Sequence, residues 1–536
     1  MVKLRSRLFF SVAVASALFA CGGSDDGAAG GDGDSVDLPG YVESAGLPDI
    51  RHGTAVYTPP PAVTREKHDR VFVAFLNGGQ EVPPVRTPAS GAMVLFLNRA
   101  GNRADYFLSH NVAGATVAHL HAASAGENGP VAVALPSAAP NTSGQLTLTA
   151  DQSKALLAGN LYANVHSAAN MAGEIRGQVL RPGETLFTTP LTGLEEVPAV
   201  KTANSGVASV VLNAARDQIR YRFSAKGIVP SMAHFHRGIA GVNGPVVYPV
   251  KVDDTAAVGS AVTQVFEGVQ AVTPADVQDL ARRQWYVNIH SFSFPLGELR
   301  GQLLRPGEEL FTAKLSGTQE VPAVATTQTG NAMIVLGMGG AQFLYSITTD
   351  AAPTMAHIHK APGGLNGPVV VPFEPGQQIF GFESLGPERA ADARRGLWYV
   401  NLHTAERPMG ELRGQVIRPG ETLYTALLAG TNEVPPVTTM ATGGLGAILN
   451  AAGTELRYDG SVTGMVPTLA HIHAAPAGMN GPVLFPLPLP AMGTVVTGEQ
   501  AVTADDVAKL DAEGLYVNFH SAANPMGEVR GQLTKP

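Results

Sequence analysis

The residues best suited to chemistry in this 536-residue chain are histidines in fixed settings. The string A-H-x-H occurs four times, giving the pairs His119 and His121, His234 and His236, His357 and His359, and His471 and His473. Each pair is followed by Asn-Gly-Pro, then by Y-x-N-x-H, which ends in His166, His290, His403 or His520, then by G-E-x-R-G-Q. Twelve of the 15 histidines therefore occupy three repeated positions. Three imidazoles drawn from separate segments suit Zn²⁺ or Cu²⁺, which accept three nitrogen donors and keep a fourth position for water or a ligand. Asn164 and Glu174, with Asn288, Glu298, Asn401, Glu411, Asn518 and Glu528 in the later copies, stand where outer acceptors would fix the ring tautomers. The same groups also suit a buried hydrogen-bond network that closes the sheet without metal.

Strands are the elements that must carry these side chains. On a strand, residues i and i+2 share a face, so His119 and His121 project together while Ala118 and Leu120 point the other way. The same logic puts Val287 and Ile289 in the core and Tyr286, Asn288 and His290 opposite. Glu298, Arg300 and Gln302 share a side as well, and Glu174 with Arg176, like its equivalents, is expected to form an ion pair within the last strands. Asn-Gly-Pro reads as a tight turn. Each repeat opens with a strand-like run into E-V-P (Glu81, Glu196, Glu320 and Glu433), where proline should end or bulge the strand. A second strand follows, then an alternating segment around Tyr106, Tyr221, Tyr345 and Tyr458. After the apolar strands that begin at Val131, Val246, Val369 and Val483, Thr149, Thr273 and Thr503 read as helix N-caps; Gly386 is a weaker start. Seven or so short strands and one minor helix describe an all-β domain, a Greek-key β-sandwich or flattened barrel.

The first histidine of each pair advances from 119 to 234, 357 and 471, a whole-domain period rather than that of a solenoid. The expected organisation is a signal peptide at 1–20, a lipidated disordered tether at 21–67, and repeats at 68–182, 183–306, 307–419 and 420–536. Arg-Pro-Gly-Glu joins successive repeats without a flexible spacer, so neighbours should abut.

The N-terminus combines Lys3, Arg5 and Arg7 with an apolar run from Leu8 to Ala20, too short to span a bilayer and flanked like a secretory signal. Cys21, the single cysteine, stands where a bacterial lipoprotein signal places its lipid-modified residue. Gly22 after it favours the outer membrane where the source has one. The segment beyond is small and acidic, with too little apolar content to fold. The expectation is an exported protein, lipid-anchored to the cell envelope, with its repeats periplasmic or extracellular and facing an envelope or extracellular partner. Formal net charge is −8, and loss of the three N-terminal basic residues takes it to −11, which argues against nucleic acid as a partner. No G-x-S-x-G, C-x-x-C, phosphate loop or paired-carboxylate signature is present, so nucleophilic catalysis has no support and a binding or scaffold role is favoured over an enzyme.

The ordered series E-V-P, A-H-x-H, N-G-P, Y-x-N-x-H, G-E-x-R-G-Q resembles the chordin-type (CHRD) domain, in four copies from about residue 69 to 536. That resemblance implies an extracellular immunoglobulin-like or Greek-key β-domain without a firmly established biochemical activity. A more distant likeness is to copper-zinc superoxide dismutase, a Greek-key barrel with an H-x-H copper pair that His119 and His121 would match, His166 serving as a third ligand. A bridging histidine, a zinc-site carboxylate and an intradomain disulfide are missing, so the likeness implies metal binding rather than dismutase activity. It leaves a copper-dependent redox enzyme as the alternative.

Overall fold

A computed structural model describes residues 50–52, 55–57, 70–252, 263–337, 340–490 and 493–536. The chain divides into two units, residues 1–62 and 63–536. In the first, β1 (Ile50–His52) and β2 (Ala55–Tyr57) pair antiparallel. Of the expected tether at 21–67 only these residues are described; the rest lies outside the described residues. The signal segment and Cys21 lie outside the described residues. Among the described residues, no helix is long and apolar enough to cross a membrane.

Repeat 1 sets the pattern for all four. Its elements are β3 (Arg70–Asn77), β4 (Ser90–Leu97), β5 (Arg103–His110), β6 (Ala115–Ala122), β7 (Val131–Ala134), β8 (Thr142–Thr147), α1 (Ala150–Ala158), β9 (Leu161–Ser167) and β10 (Ile175–Gln178). The antiparallel strand order is β7-β6-β9-β10-β3-β4-β5-β8. Two four-stranded halves thus meet along a seam where Arg176 of β10 faces Asn77 of β3. Repeat 4 has the same continuous order, whereas in repeats 2 and 3 the seam narrows to isolated bridges, such as Thr192 with Arg300 and Ser316 with Arg413. The chain crosses between halves after β5, β7 and β8, which makes each repeat a Greek-key sandwich.

The inward positions fill the core between the halves. In repeat 1 these include Phe72, Met93, Leu95, Tyr106, Leu108, Ala118, Leu120, Leu161 and Val165, all essentially buried. Each repeat has a corresponding apolar cluster of its own. The helix begins where Thr149 accepts the Gln152 amide and the Gln152 side chain accepts the Thr149 N–H, and it ends at Gly159 in the left-handed region. Thr273 and Thr503 make the same reciprocal cap with Asp276 and Asp506, while Gly386 opens the third helix with no side-chain cap.

Two expectations are corrected here. Each repeat has eight strands: β8 and its counterparts (Thr263–Ala271, Gln378–Ser384 and Val495–Ala501) escape a reading by hydrophobic pattern because they are polar edge strands, mostly exposed. The tight turn falls before Asn-Gly-Pro, where the Glu127 N–H reaches the Ser124 carbonyl at 3.2 Å. Asn128, Gly129 and Pro130 follow the turn and lead into β7, and a Cβ on Gly129 would collide with the Ala122 carbonyl.

Neighbouring repeats abut through this same loop. Ala125 packs on Leu186 and Val211 of repeat 2, while Ile239 and Ala240 pack on Met333, Val335 and Leu344 of repeat 3. Gly363 lies so close to Leu423 and Thr425 of repeat 4 that a side chain there would strike them.

Candidate metal centre

The outer face of the β6-β9-β10 sheet carries the repeated polar residues in three rows. His119 pairs across with Asn164, and His121 with Tyr162. Arg176 pairs with Asn164 and Gln178 with Tyr162. Opposite His166 stands Val117. The face predicted to avoid the core therefore does so, yet the segment 123–129 and the E-V-P segment cover much of it, and Tyr162, Asn164, His166, Arg176 and Gln178 are buried.

Among the described residues, four groups could hold a metal ion: His119, His121 and His166; His234, His236 and His290; His357, His359 and His403; and His471, His473 and His520. In each group one nitrogen per ring lies within 4.8 Å of the other two. The His119 Nδ1 to His166 Nε2 separation is 3.2 Å, and its counterparts are 3.1, 3.3 and 3.1 Å. Two nitrogens bound tetrahedrally to one Zn²⁺ at about 2.05 Å would stand roughly 3.3 Å apart, so this edge of the triad already has ligand spacing. The widest edge joins the second and third histidines, with ring centroids 6.0 Å apart in repeat 1 and 6.4, 6.4 and 6.2 Å in the others.

Backbone carbonyls set the tautomers. His121 Nδ1–H donates to the Gly129 carbonyl at 2.9 Å, and His166 Nδ1–H to the Met171 carbonyl at 3.0 Å. Each bond leaves the Nε2 lone pair of that ring directed at the triad. His121 Nε2 and its counterparts on His236, His359 and His473 are buried and have no hydrogen-bond partner among the described residues. A buried acceptor without a partner costs about 1–3 kcal/mol, and it recurs here at the same atom in all four repeats.

The expected roles of Asn164 and Glu174 are corrected by these contacts: neither touches an imidazole. Asn164 Nδ2 donates to Glu81 at 3.2 Å, as Asn288, Asn401 and Asn518 do to Glu196, Glu320 and Glu433. Glu174 accepts from Thr87 at 2.8 Å; Glu298, Glu411 and Glu528 accept the hydroxyls of Thr202, Thr326 and Thr439 and of Ser291, Thr404 and Ser521. The Glu174–Arg176 ion pair does not form either. Arg176 turns away to lie 3.4 Å over the Tyr162 ring, donating to the Ser124 and Glu127 carbonyls and to Asn128 Oδ1. Asn128 Nδ2 then donates to the Val82 carbonyl at 2.7 Å, tying the two covering segments together.

A stack results. Arg176 lies on Tyr162, and Tyr162 lies parallel to His121 at 4.9 Å. Arg300, Arg413 and Arg530 repeat it over Tyr286, Tyr399 and Tyr516. Burial holds the His121 imidazole below its ordinary range, and the neighbouring His166 and Arg176 lower it further; burial and the adjoining rings lower His119 likewise. Both are therefore neutral near pH 7, the state a metal requires.

Glu81, Glu196, Glu320 and Glu433 belong to this assembly although their E-V-P motif suggested only a strand end. Burial pushes each carboxyl up to about 7. Their recurrence was visible in the sequence; their partner was not, because Asn164 lies 83 residues from Glu81. A cleft of about 380 Å³ between repeats 1 and 2, lined by Arg220, Arg222 and Glu267, contains no triad histidine.

Fold and site together define a tandem array of Greek-key β-sandwiches, each with a three-histidine cluster on one sheet. The chain belongs to the CHRD family: the CHRD domain model matches residues 72–179, 187–303, 311–416 and 424–533. No curated protein and no solved structure matches it.

Proposed function

We propose that this is an exported, lipid-anchored, non-enzymatic binding lipoprotein whose four CHRD domains each hold one copper or zinc ion. His119, His121 and His166 and their three sets of counterparts are the ligands. The observation that carries the reading is the partnerless, buried Nε2 of the second histidine, aimed into a cluster of two further ring nitrogens in every repeat. A purely structural network accounts for the His119 to His166 contact but leaves that atom unexplained. The groups contain imidazoles alone, a set that suits Zn²⁺ and copper rather than Mg²⁺ or Ca²⁺. Anchoring through Cys21 at the envelope, with the repeats facing an envelope or extracellular partner, is the part of the proposal supported by the N-terminal sequence.

The test is elemental analysis of the purified chain after exposure to each metal. About four ions per chain are expected, one fewer after His121→Ala and two fewer after His121→Ala with His236→Ala. A metal content indistinguishable from zero, with thermal stability lowered by the same substitutions, would establish the structural network instead. For the anchor, Cys21→Ser should release the protein from the membrane fraction, and its retention there would refute lipidation. A copper-dependent redox enzyme is the second reading that the triads admit; superoxide turnover by the copper-loaded chain, abolished by His121→Ala, would favour it.

A further inference from the structure

We propose that the triads are sites for monovalent copper, each completed by a methionine thioether at its rim. The inference rests on the reading that the triads hold metal, and it names the ion.

It starts from where the chain leaves large apolar side chains in water. Two residues before each H-x-H stand Val117, Met232, Met355 and Leu469, on the same strand face as the histidines and about half exposed. Each sits directly across from the third histidine of its triad: Met232 from His290, Met355 from His403, Leu469 from His520. The loop after the third histidine adds more: Met171 five residues beyond His166, and Leu296, Met409 and Met526 six residues beyond His290, His403 and His520, are 83%, 89%, 91% and 89% exposed. This loop is bound to the triad: the His166 ring bonds the carbonyl of Met171 itself, and the His403 and His520 rings bond those of Pro408 and Pro525, the residues preceding Met409 and Met526.

Side chains that exposed gain nothing from burial, so packing does not explain them. The distribution of sulfur between strand and loop does. Repeat 2 has leucine in the loop but Met232 on the strand, whereas repeats 1 and 4 have valine and leucine on the strand but Met171 and Met526 in the loop. Repeat 3 has both Met355 and Met409. Every repeat thus has a methionine either on the strand across from its third histidine or in the loop that follows it. A thioether is a soft donor that selects Cu(I), while Zn²⁺ and Cu²⁺ are served by imidazole and water. Methionine's three rotatable bonds let a fully exposed side chain swing over an open coordination position at little cost. The step is association alone: Cu(I) arrives and leaves as Cu(I), with no change of oxidation state at the site.

The experiment compares the full chain with a variant carrying Met171→Leu, Met232→Leu, Met355→Leu, Met409→Leu and Met526→Leu. These are exposed, shape-conserving changes that should leave the fold intact, to be checked by circular dichroism. Anaerobic Cu(I) titration against a chromogenic Cu(I) chelator should show affinity falling by about tenfold or more in the variant while Zn²⁺ affinity stays unchanged. X-ray absorption of the Cu(I)-loaded parent should contain a sulfur scatterer that the variant lacks. Equal Cu(I) affinities and no sulfur signal overturn the inference, and if Zn²⁺ still binds in a His121-dependent way the metal-site reading survives it. If the parent binds neither ion, both fall.

Discussion

The Glu81 carboxyl is enclosed where Gly173, at φ 137°, brings its backbone so near that a Cβ would stand 2.7 Å from both Glu81 Oε1 and Asn164 Oδ1. Asn164 Nδ2 serves Glu81 Oε2, while Glu81 Oε1 and Asn164 Oδ1 are both buried acceptors without a donor among the described residues. A proton on the carboxyl satisfies both, which agrees with burial pushing Glu81 up to about 7. An acid raised in the folded state from 4.5 to about 7 contributes stability fully present below 4.5 and lost as pH rises through 7. The depressed histidines act oppositely, losing stability as pH falls below their ordinary range. Replacing Glu81, Glu196, Glu320 and Glu433 by Gln should therefore make the slope of melting temperature against pH, between 4.5 and 7, more positive than in the parent; an unchanged slope would show the carboxyls to be ionised throughout. At this scale the histidines were legible because H-x-H on a strand fixes their common face. The carbonyls of Gly129 and Met171 were not, since a backbone acceptor has no residue type to betray it. Glu174 and Arg176 were misassigned to each other because two residues on one face look like partners until a third element, here Tyr162, offers the guanidinium a better surface.

Among the elements, the helix is the one that local sequence determines most completely. Thr149, Thr273 and Thr503 each close a reciprocal cap, so Thr→Ala at any of them should cost about 1 kcal/mol of that repeat's stability. Gly386→Ser should return only a few tenths to repeat 3, because glycine is itself a tolerable cap. Chemical denaturation of the single variants checks both. A larger loss at Gly386 than at Thr149 would show that tertiary packing, and not the cap, positions these helices. The strands were legible in proportion to how much they bury. β4 and β9, buried along nearly their whole length, announce themselves, whereas β8 pairs with β5 through a polar, largely exposed edge and leaves no hydrophobic signal. The strand order was open to no local argument, since it depends on crossings between halves that pair residues far apart in the chain.

For the repeats as an array, the loop following H-x-H does two jobs. One side carries the Gly129 carbonyl to His121 and receives Arg176; the other docks on the next repeat, as Ile239 and Ala240 do on Met333 and Leu344. A carboxylate placed among those apolar side chains is desolvated, so Ile239→Glu should destabilise the junction by roughly 3 kcal/mol and split the thermal unfolding of the chain into resolved transitions. A single unshifted transition would mean that the interface transmits no coupling. The corresponding loop in repeat 4 has Met479 in the place of Val242, 59% exposed. The loops of repeats 1 to 3 are each pressed between their own triad and a neighbouring repeat. If the triads hold metal as proposed, loading a triad in repeats 1 to 3 would stiffen the very loop that forms the junction, so occupancy and the rigidity of the array should rise together.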